Sequence, residues 1–274
     1  MRTIFIISLL GLCSSPVWAT DSSIQEHSYG YSFENVNIGT NPNSGSIVTV
    51  SSSSLNMNNV NVAISGWADS AKLNSDDTYD YDRVISAEVQ PVYNYGWAVR
   101  NSEEATGTHQ TIGNNSGFPD FDFVLLSFSE EVKLDTLNFG WAGFDHGSQE
   151  VSVAAIGDSG FNKLTSQNST WSSIIAGAVS NSFSIDRLSE HSYQGTSSLN
   201  IAASAKYWLV GAYNTVFGSV SHGTNFNDAF KISGLEFSNT TTENPPPTEV
   251  SEPGALALMS LGLGLVLYRR KRRA

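Results

Sequence analysis

Between residues 59 and 67 apolar and polar positions alternate, with Val60, Val62 and Ile64 falling on one side. A period of two predicts a half-buried strand. Ser46–Val50 repeats the pattern with Val48 and Val50 on one face, and Glu150–Ile156 repeats it with Val151, Val153 and Ala155. Glu26–Asn37 alternates loosely and is expected to open the sheet. Arg83–Val92 and Tyr93–Val99 read as two strands separated near Pro91. Asp122–Phe128 is different, because it is nearly continuous apolar residues. That pattern predicts a central strand covered on both faces. Ser129–Glu131 reads as a turn, and Val132–Trp141 as the next strand, with Val132, Leu134, Leu137, Phe139 and Trp141 inward. The change of parity between Leu134 and Leu137 predicts a bulge near Asp135. Lys206–Tyr213 and Ala229–Phe237 complete the set. No long amphipathic helix is predicted, and Trp171–Val179 fits neither period well.

The segments between these runs are polar and rich in turn residues. They include Gly39–Ser54, the acidic stretch Asn74–Asp82 and the connection Asn101–Pro119, with its turn cluster Gly113–Gly117. Ser, Asn, Gly and Thr abound alongside aromatic residues. This mixture reads as short strands joined by polar turns. Residues 20–238 are enough chain to bury about 70% of the unfolded surface. The expected fold is all-β, a single antiparallel β-sandwich of jelly-roll type. Residues 239–250, with three consecutive prolines, read as an extended linker. Gly-Trp-Ala recurs at Gly66–Ala68, Gly96–Ala98 and Gly140–Ala142, and reads as a strand end where a buried Trp packs over glycine.

Both ends of the chain carry targeting patterns. Arg2, the apolar run Ile4–Leu12 and Val17-Trp18-Ala19 form a signal peptide over residues 1–19, with signal peptidase cutting after Ala19. Cys13 is the one cysteine, so the mature chain has no disulfide. Its predecessor Leu12 is too large for a lipoprotein site. At the other end Ser251-Glu252-Pro253 precedes the apolar run Ala255–Tyr268, and Arg269, Arg270, Lys271, Arg272 and Arg273 follow. As a helix this run measures about 21 Å against a hydrocarbon core of about 30 Å. Thinning of the bilayer and snorkelling arginines would let it span the membrane, and the basic block would hold the C-terminus in the cytoplasm.

This order of motif, membrane segment and basic end resembles the PEP-CTERM sorting signal over residues 250–274. The family motif is Pro-Glu-Pro; here Ser251 stands first, and Glu252 and Pro253 match. The resemblance implies processing by exosortase, a membrane-embedded enzyme, and delivery to the cell surface or extracellular matrix. A permanent single-span anchor is the alternative. The body, through Gly66–Asp69, Tyr95–Asn101, His109, Asp122–Phe128, Leu137–Trp141 and Trp208–Tyr213, resembles a group of exosortase-dependent surface proteins of Gram-negative bacteria. That group is defined by sorting, and it implies no site residues.

Charge narrows the partners. Six of the 14 basic residues lie in the two targeting ends, leaving eight against 26 acids and a body near −18. Such a surface repels nucleic acid and anionic membrane.

Several residues bear on chemistry. Gly157-Asp158-Ser159-Gly160 is similar to the nucleophile loop of chymotrypsin-like proteases, but none of His27, His109 or His146 has the setting of the required base, so a turn is expected. Asp76, Asp77, Asp80 and Asp82 lack the spacing of a calcium loop. Asp120 and Asp122, joined by Asp145 or Asp228, are weak candidates for calcium ligands. His109 and His146 do not define a zinc site. Glu103-Glu104 and Glu130-Glu131 are adjacent acids whose side chains diverge on a strand, unlike the facing pair of a glycosidase. Among Tyr79, Tyr81, Tyr93, Tyr95 and Trp97, core packing explains alternating rings in strands most simply, and Tyr95 and Trp97 are the candidates for stacking on sugars. The expected function is therefore a structural, non-catalytic surface or matrix protein. The alternative is a carbohydrate-binding module for exopolysaccharide, and a secreted hydrolase comes third.

Overall fold

The computed structural model of the chain describes residues 24–33, 48–50, 60–73, 79–100, 111–114, 121–166, 169–221, 223, 227–242, 261–264 and 268–272. Strands dominate it. In chain order they are β1 (Ile24–Ser32), β2 (Val48–Val50), β3 (Val62–Leu73), β4 (Tyr79–Val92), β5 (Gly96–Arg100), β6 (Ile112–Gly113), β7 (Asp122–Ala142), β8 (Glu150–Ile156), β9 (Val179–Ser184), β10 (Asp186–Arg187), β11 (Gly195–Ser198), β12 (Ala205–Ala212) and β13 (Ala229–Thr242). Two helices, α1 (Asp158–Thr165) and α2 (Trp171–Ile174), lie between β8 and β9. Residues 26–240 form one compact unit; residues 1–25 with 241–274 form another.

The all-β expectation holds, but the sheets do not stay separate as in a sandwich. β13 pairs with β5, β5 with β4, β4 with β3, β3 with β7, and β7 with β13, so five antiparallel strands close a barrel. Two long strands make the closure possible. β4 pairs with β3 over Tyr79–Ala87 and with β5 over Glu88–Val92. β7 runs for 21 residues, pairing with β3 and β12 through its first part and with β13 and β11 through its last. The turn expected at Ser129–Glu131 is absent. These three residues are exposed, but they remain strand, and Ser129 N–H donates to Asn61 O at 2.9 Å. Polarity there marks solvent contact, which an edge of the ladder satisfies as well as a turn does.

The alternation in β7 feeds two cores. Val124, Leu126 and Phe128 face the main core with Leu137, Phe139, Phe230 and Phe237. Phe123 and Leu125 face a second core with Trp67, Leu209 and Ile156, covered by Leu164 of α1, Trp171 of α2 and Phe217. Asp122–Phe128 is thus covered on both faces, as its composition predicts. The bulge near Asp135 is also present: Glu236 pairs with Thr136 and Phe237 with Leu134, which leaves Asp135 without an opposite residue.

Local rules explain most remaining differences. Gly157–Gly160 is not a turn; Gly157 caps α1, and Gly160 lets the two helices meet, since a Cβ there would lie 2.7 Å from Ile174 O. α2 starts at a reciprocal cap, in which Ser173 N–H donates to Thr170 Oγ1 at 3.2 Å and Thr170 N–H donates to Ser173 Oγ at 3.1 Å. Tyr79–Asp82 belongs to β4 rather than to an acidic loop. Pro91 sits inside β4 opposite Trp97; the chain reverses at Tyr93–Tyr95, where Asn94 has φ 66°.

The ends are described only in part. β13 extends to Thr242, into the expected linker. The signal peptide, Ser251–Pro253 and Arg273 lie outside the described residues. Residues 261–264 and 268–271 are helical, and Arg272 stacks over Tyr268 at 5.4 Å. Among the described residues no helix is long and apolar enough to cross a membrane; of the span expected over Ala255–Tyr268, residues 255–260 and 265–267 lie outside the described residues.

Candidate functional site

The outer face of the β7–β13 ladder is shaped by one glycine. Lys231 pairs with Trp141, yet Ile232 pairs with Phe139, so Gly140 is an extra residue in β7. An extra residue reverses the inward–outward alternation. Phe139 and Ala142 therefore face the core, and Trp141, expected inward, stands half-buried on the outside. Glycine is required at 140 because a Cβ would run into the backbone of Tyr95. Gly96, at φ 96°, meets the β13 backbone at Ile232 and Ser233 in the same way. These two close approaches lay the Tyr93–Tyr95 hairpin tip over the ladder.

Neighbouring side chains complete a strip. Lys231 Nζ lies 3.9 Å from the Trp141 ring centre and 5.7 Å from that of Tyr95. This is cation–π distance for both rings. Ala142 N–H donates to Tyr193 O at 2.7 Å, which brings Tyr193 beside Trp141. Their rings are 14° from parallel with centres 6.4 Å apart. Tyr193 hydroxyl donates to Asp145 Oδ2 at 2.8 Å. Tyr95 is 44% exposed and Tyr193 45%. The order along the strip is Tyr95, Lys231, Trp141, Tyr193, Asp145. Burial pushes the Lys231 ammonium down to about 8. The hydrogen bond to Asp145, reinforced by its charge, holds the Tyr193 phenol above its usual value. Rings flanked by a cation and a carboxylate can stack on apolar sugar faces and bond the hydroxyls at their edges.

A second polar group is buried. Asp228 Oδ1 accepts Glu150 N–H at 2.6 Å, and Asp228 Oδ2 accepts Asn114 Nδ2–H at 2.7 Å. Asn114 Oδ1 in turn accepts Asp228 N–H at 2.8 Å. The Glu150 side chain is fully buried, and neither of its carboxylate oxygens accepts a well-aligned hydrogen bond. Burial, reinforced by the Glu150 carboxylate, pushes the Asp228 carboxyl up to about 8, against the N–H bonds that favour its charge.

The residues singled out in the sequence fall as follows. Tyr95 lies on the strip. Trp97 does not; it is 1% exposed within the main core, opposite Ile232. Tyr95 ends a turn, so the two-residue period begins only at Gly96 and cannot place Tyr95 and Trp97 on one face. Asp120 lies outside the described residues. Asp122 is buried, and its Oδ2 accepts Gly113 N–H at 3.3 Å. Asp145 serves the strip and Asp228 the buried group, so these acids do not converge. Among the described residues no group of three or more His, Cys, Asp or Glu could hold a metal ion. His109, Glu103, Glu104, Asp76 and Asp77 lie outside the described residues, and His146, Glu130 and Glu131 are exposed. Trp141, Tyr193 and Lys231 were not legible as a site, because they meet only across strands. The one local signal was Gly140 within a Gly-Trp-Ala repeat.

A scan against protein-family models, together with searches of curated proteins and of solved structures, found no match for this chain.

Proposed function

We propose that this chain is exported, trimmed by signal peptidase and exosortase, and delivered to the cell surface or extracellular matrix, where its β-domain binds exopolysaccharide without catalysis. The observation that carries the binding reading is the strip itself: Tyr95, Trp141 and Tyr193 in a row on a sheet face, with Lys231 and Asp145 beside them. A structural role needs no such row, because aromatic residues are cheaper to place in the core. Among the described residues, the carboxylates weighed for hydrolysis do not favour it. Glu150 and Asp228 are sealed from solvent, while Glu130 and Glu131 are exposed sequence neighbours within β7. The export reading rests on residues 1–19 and 251–274.

Affinity electrophoresis of the full chain in gels cast with the host's exopolysaccharide tests the binding. Wild-type protein should be retarded. Trp141→Ala should weaken retention about tenfold, the scale of one lost stacking partner, with its melting temperature near wild type because the ring is at the surface. Undiminished retention of Trp141→Ala would show that the strip is not the site. Gly140→Ala should weaken retention as well, by displacing Tyr95, and cost about 1–2 kcal/mol because the exposed hairpin tip can shift. For sorting, intact mass and fractionation from the host are expected to show loss of Met1–Ala19 and of the basic end. Glu252→Ala should accumulate in the inner membrane with its tail attached. An uncut tail in wild type would remove the exosortase reading and leave an anchored domain.

A further inference from the structure

The charge of Lys231 is the part of the strip that a neutral sugar does not explain. Among the described residues the ion pairs are Arg100–Glu88 and Lys133–Asp135, and neither includes it. Asp145, the carboxylate of the strip, is engaged by the Tyr193 hydroxyl. A half-buried ammonium loses hydration, and here it receives only the faces of Trp141 and Tyr95 in return. The body around it has a net charge near −18, eight basic residues against 26 acids. A cation set between two rings on such a surface has most to gain from an anion, since a charge-assisted hydrogen bond is the strongest contact open to it.

Building on the polysaccharide-binding reading, we infer that the strip selects acidic polysaccharide: uronic-acid rings lie on Tyr95 and Trp141, and a ring carboxylate accepts a hydrogen bond from Lys231 Nζ. The acidic body acts as a filter. It repels a polyanion elsewhere, so contact is confined to the strip, and salt in the medium screens the repulsion.

The test compares retardation of the full chain in gels of polygalacturonate and of neutral dextran, using wild type, Lys231→Met, Lys231→Arg and Trp141→Ala. Wild type should be held by polygalacturonate at lower polymer concentration than by dextran. Lys231→Met should lose about tenfold or more on polygalacturonate and at most about threefold on dextran, with a cooperative thermal melt to report that the variant is folded. Lys231→Arg should keep the acidic preference, and Trp141→Ala should weaken on both polymers. Equal retention of wild type by the two polymers, or an unchanged Lys231→Met on polygalacturonate, would overturn the acidic selection and leave polysaccharide binding standing. No retention of folded wild type by either polymer would overturn both.

Discussion

Gly211→Ala is expected to destabilise the protein by about 3 kcal/mol or more. Gly211 lies in β12, opposite Phe123 on one side and Ser152 on the other. A Cβ there would enter the Phe123 ring and lie 2.5 Å from Asp122 O. The ring has nowhere to go, since Trp171 and Phe217 hold it at centre distances of 4.3 and 4.6 Å. The backbone cannot retreat either, because both flanking ladders would have to part. Gly30→Ala is the control: its Cβ would meet only Glu236 Cγ at 3.9 Å. There the change should be neutral, or stabilising by about 0.5–1 kcal/mol through the stiffer unfolded chain. Urea unfolding followed by tryptophan fluorescence reads both. A Gly211→Ala midpoint close to wild type would mean that the ring is not wedged.

The second large effect is a dependence of stability on pH that Glu150→Gln should reduce. The Asp228 carboxyl rises from 3.8 to about 8 on folding. Between these values the folded protein keeps a proton that the unfolded chain has released. Stability therefore falls as pH rises through the window; the contribution is complete below about pH 4 and lost through about pH 8. Each pKa unit is worth about 1.4 kcal/mol, so the swing is on the order of a few kcal/mol. Glutamine at 150 removes the facing charge and offers an amide donor to Asp228. Its melting temperature should exceed wild type by several degrees at pH 8.5 and by little at pH 5 (about 4 °C per kcal/mol is typical at this size). Asp228→Asn should lose stability at both values. Its amide would set a second donor against either Asn114 Nδ2–H or the Glu150 N–H, both of which the carboxylate now accepts. A wild-type melting temperature that stays level from pH 5 to 8.5 would rule out a buried proton on this pair.

The strand pattern was legible wherever one rule acted locally. Val62 and Ile64, Val151 and Val153, and the unbroken run of Asp122–Phe128 fall where their periods put them. The bulge at Asp135 could be read from a slip in parity. Misreadings came where two causes give one signal. Ser129–Glu131 is polar because it is exposed, and exposure is shared by turns and by strands passing from one sheet to the next. Gly-Trp-Ala looks alike in three places, yet Trp67 and Trp97 are buried and Trp141 is not. The glycine before Trp141 is an inserted residue opposite β13, and no local feature separates that from a regular strand. Glu150 carries no signal in the sequence, because a lone acid at a strand start is ordinary on a surface.

By itself the sequence determined the all-β class, the strand cores and the acidic character of the body, because period, side-chain volume and charge belong to neighbouring residues. The expected export and sorting ends are likewise a matter of local order. Tertiary structure alone decided that β4 serves two neighbours and β7 four, and that they close a barrel, since ladder partners far apart in the chain compete for the same backbone groups. It alone placed Trp141 outside and Trp97 inside, and brought Lys231 between two rings and Glu150 against Asp228. Those placements depend on register across strands, where one extra glycine turns a whole side chain from core to solvent.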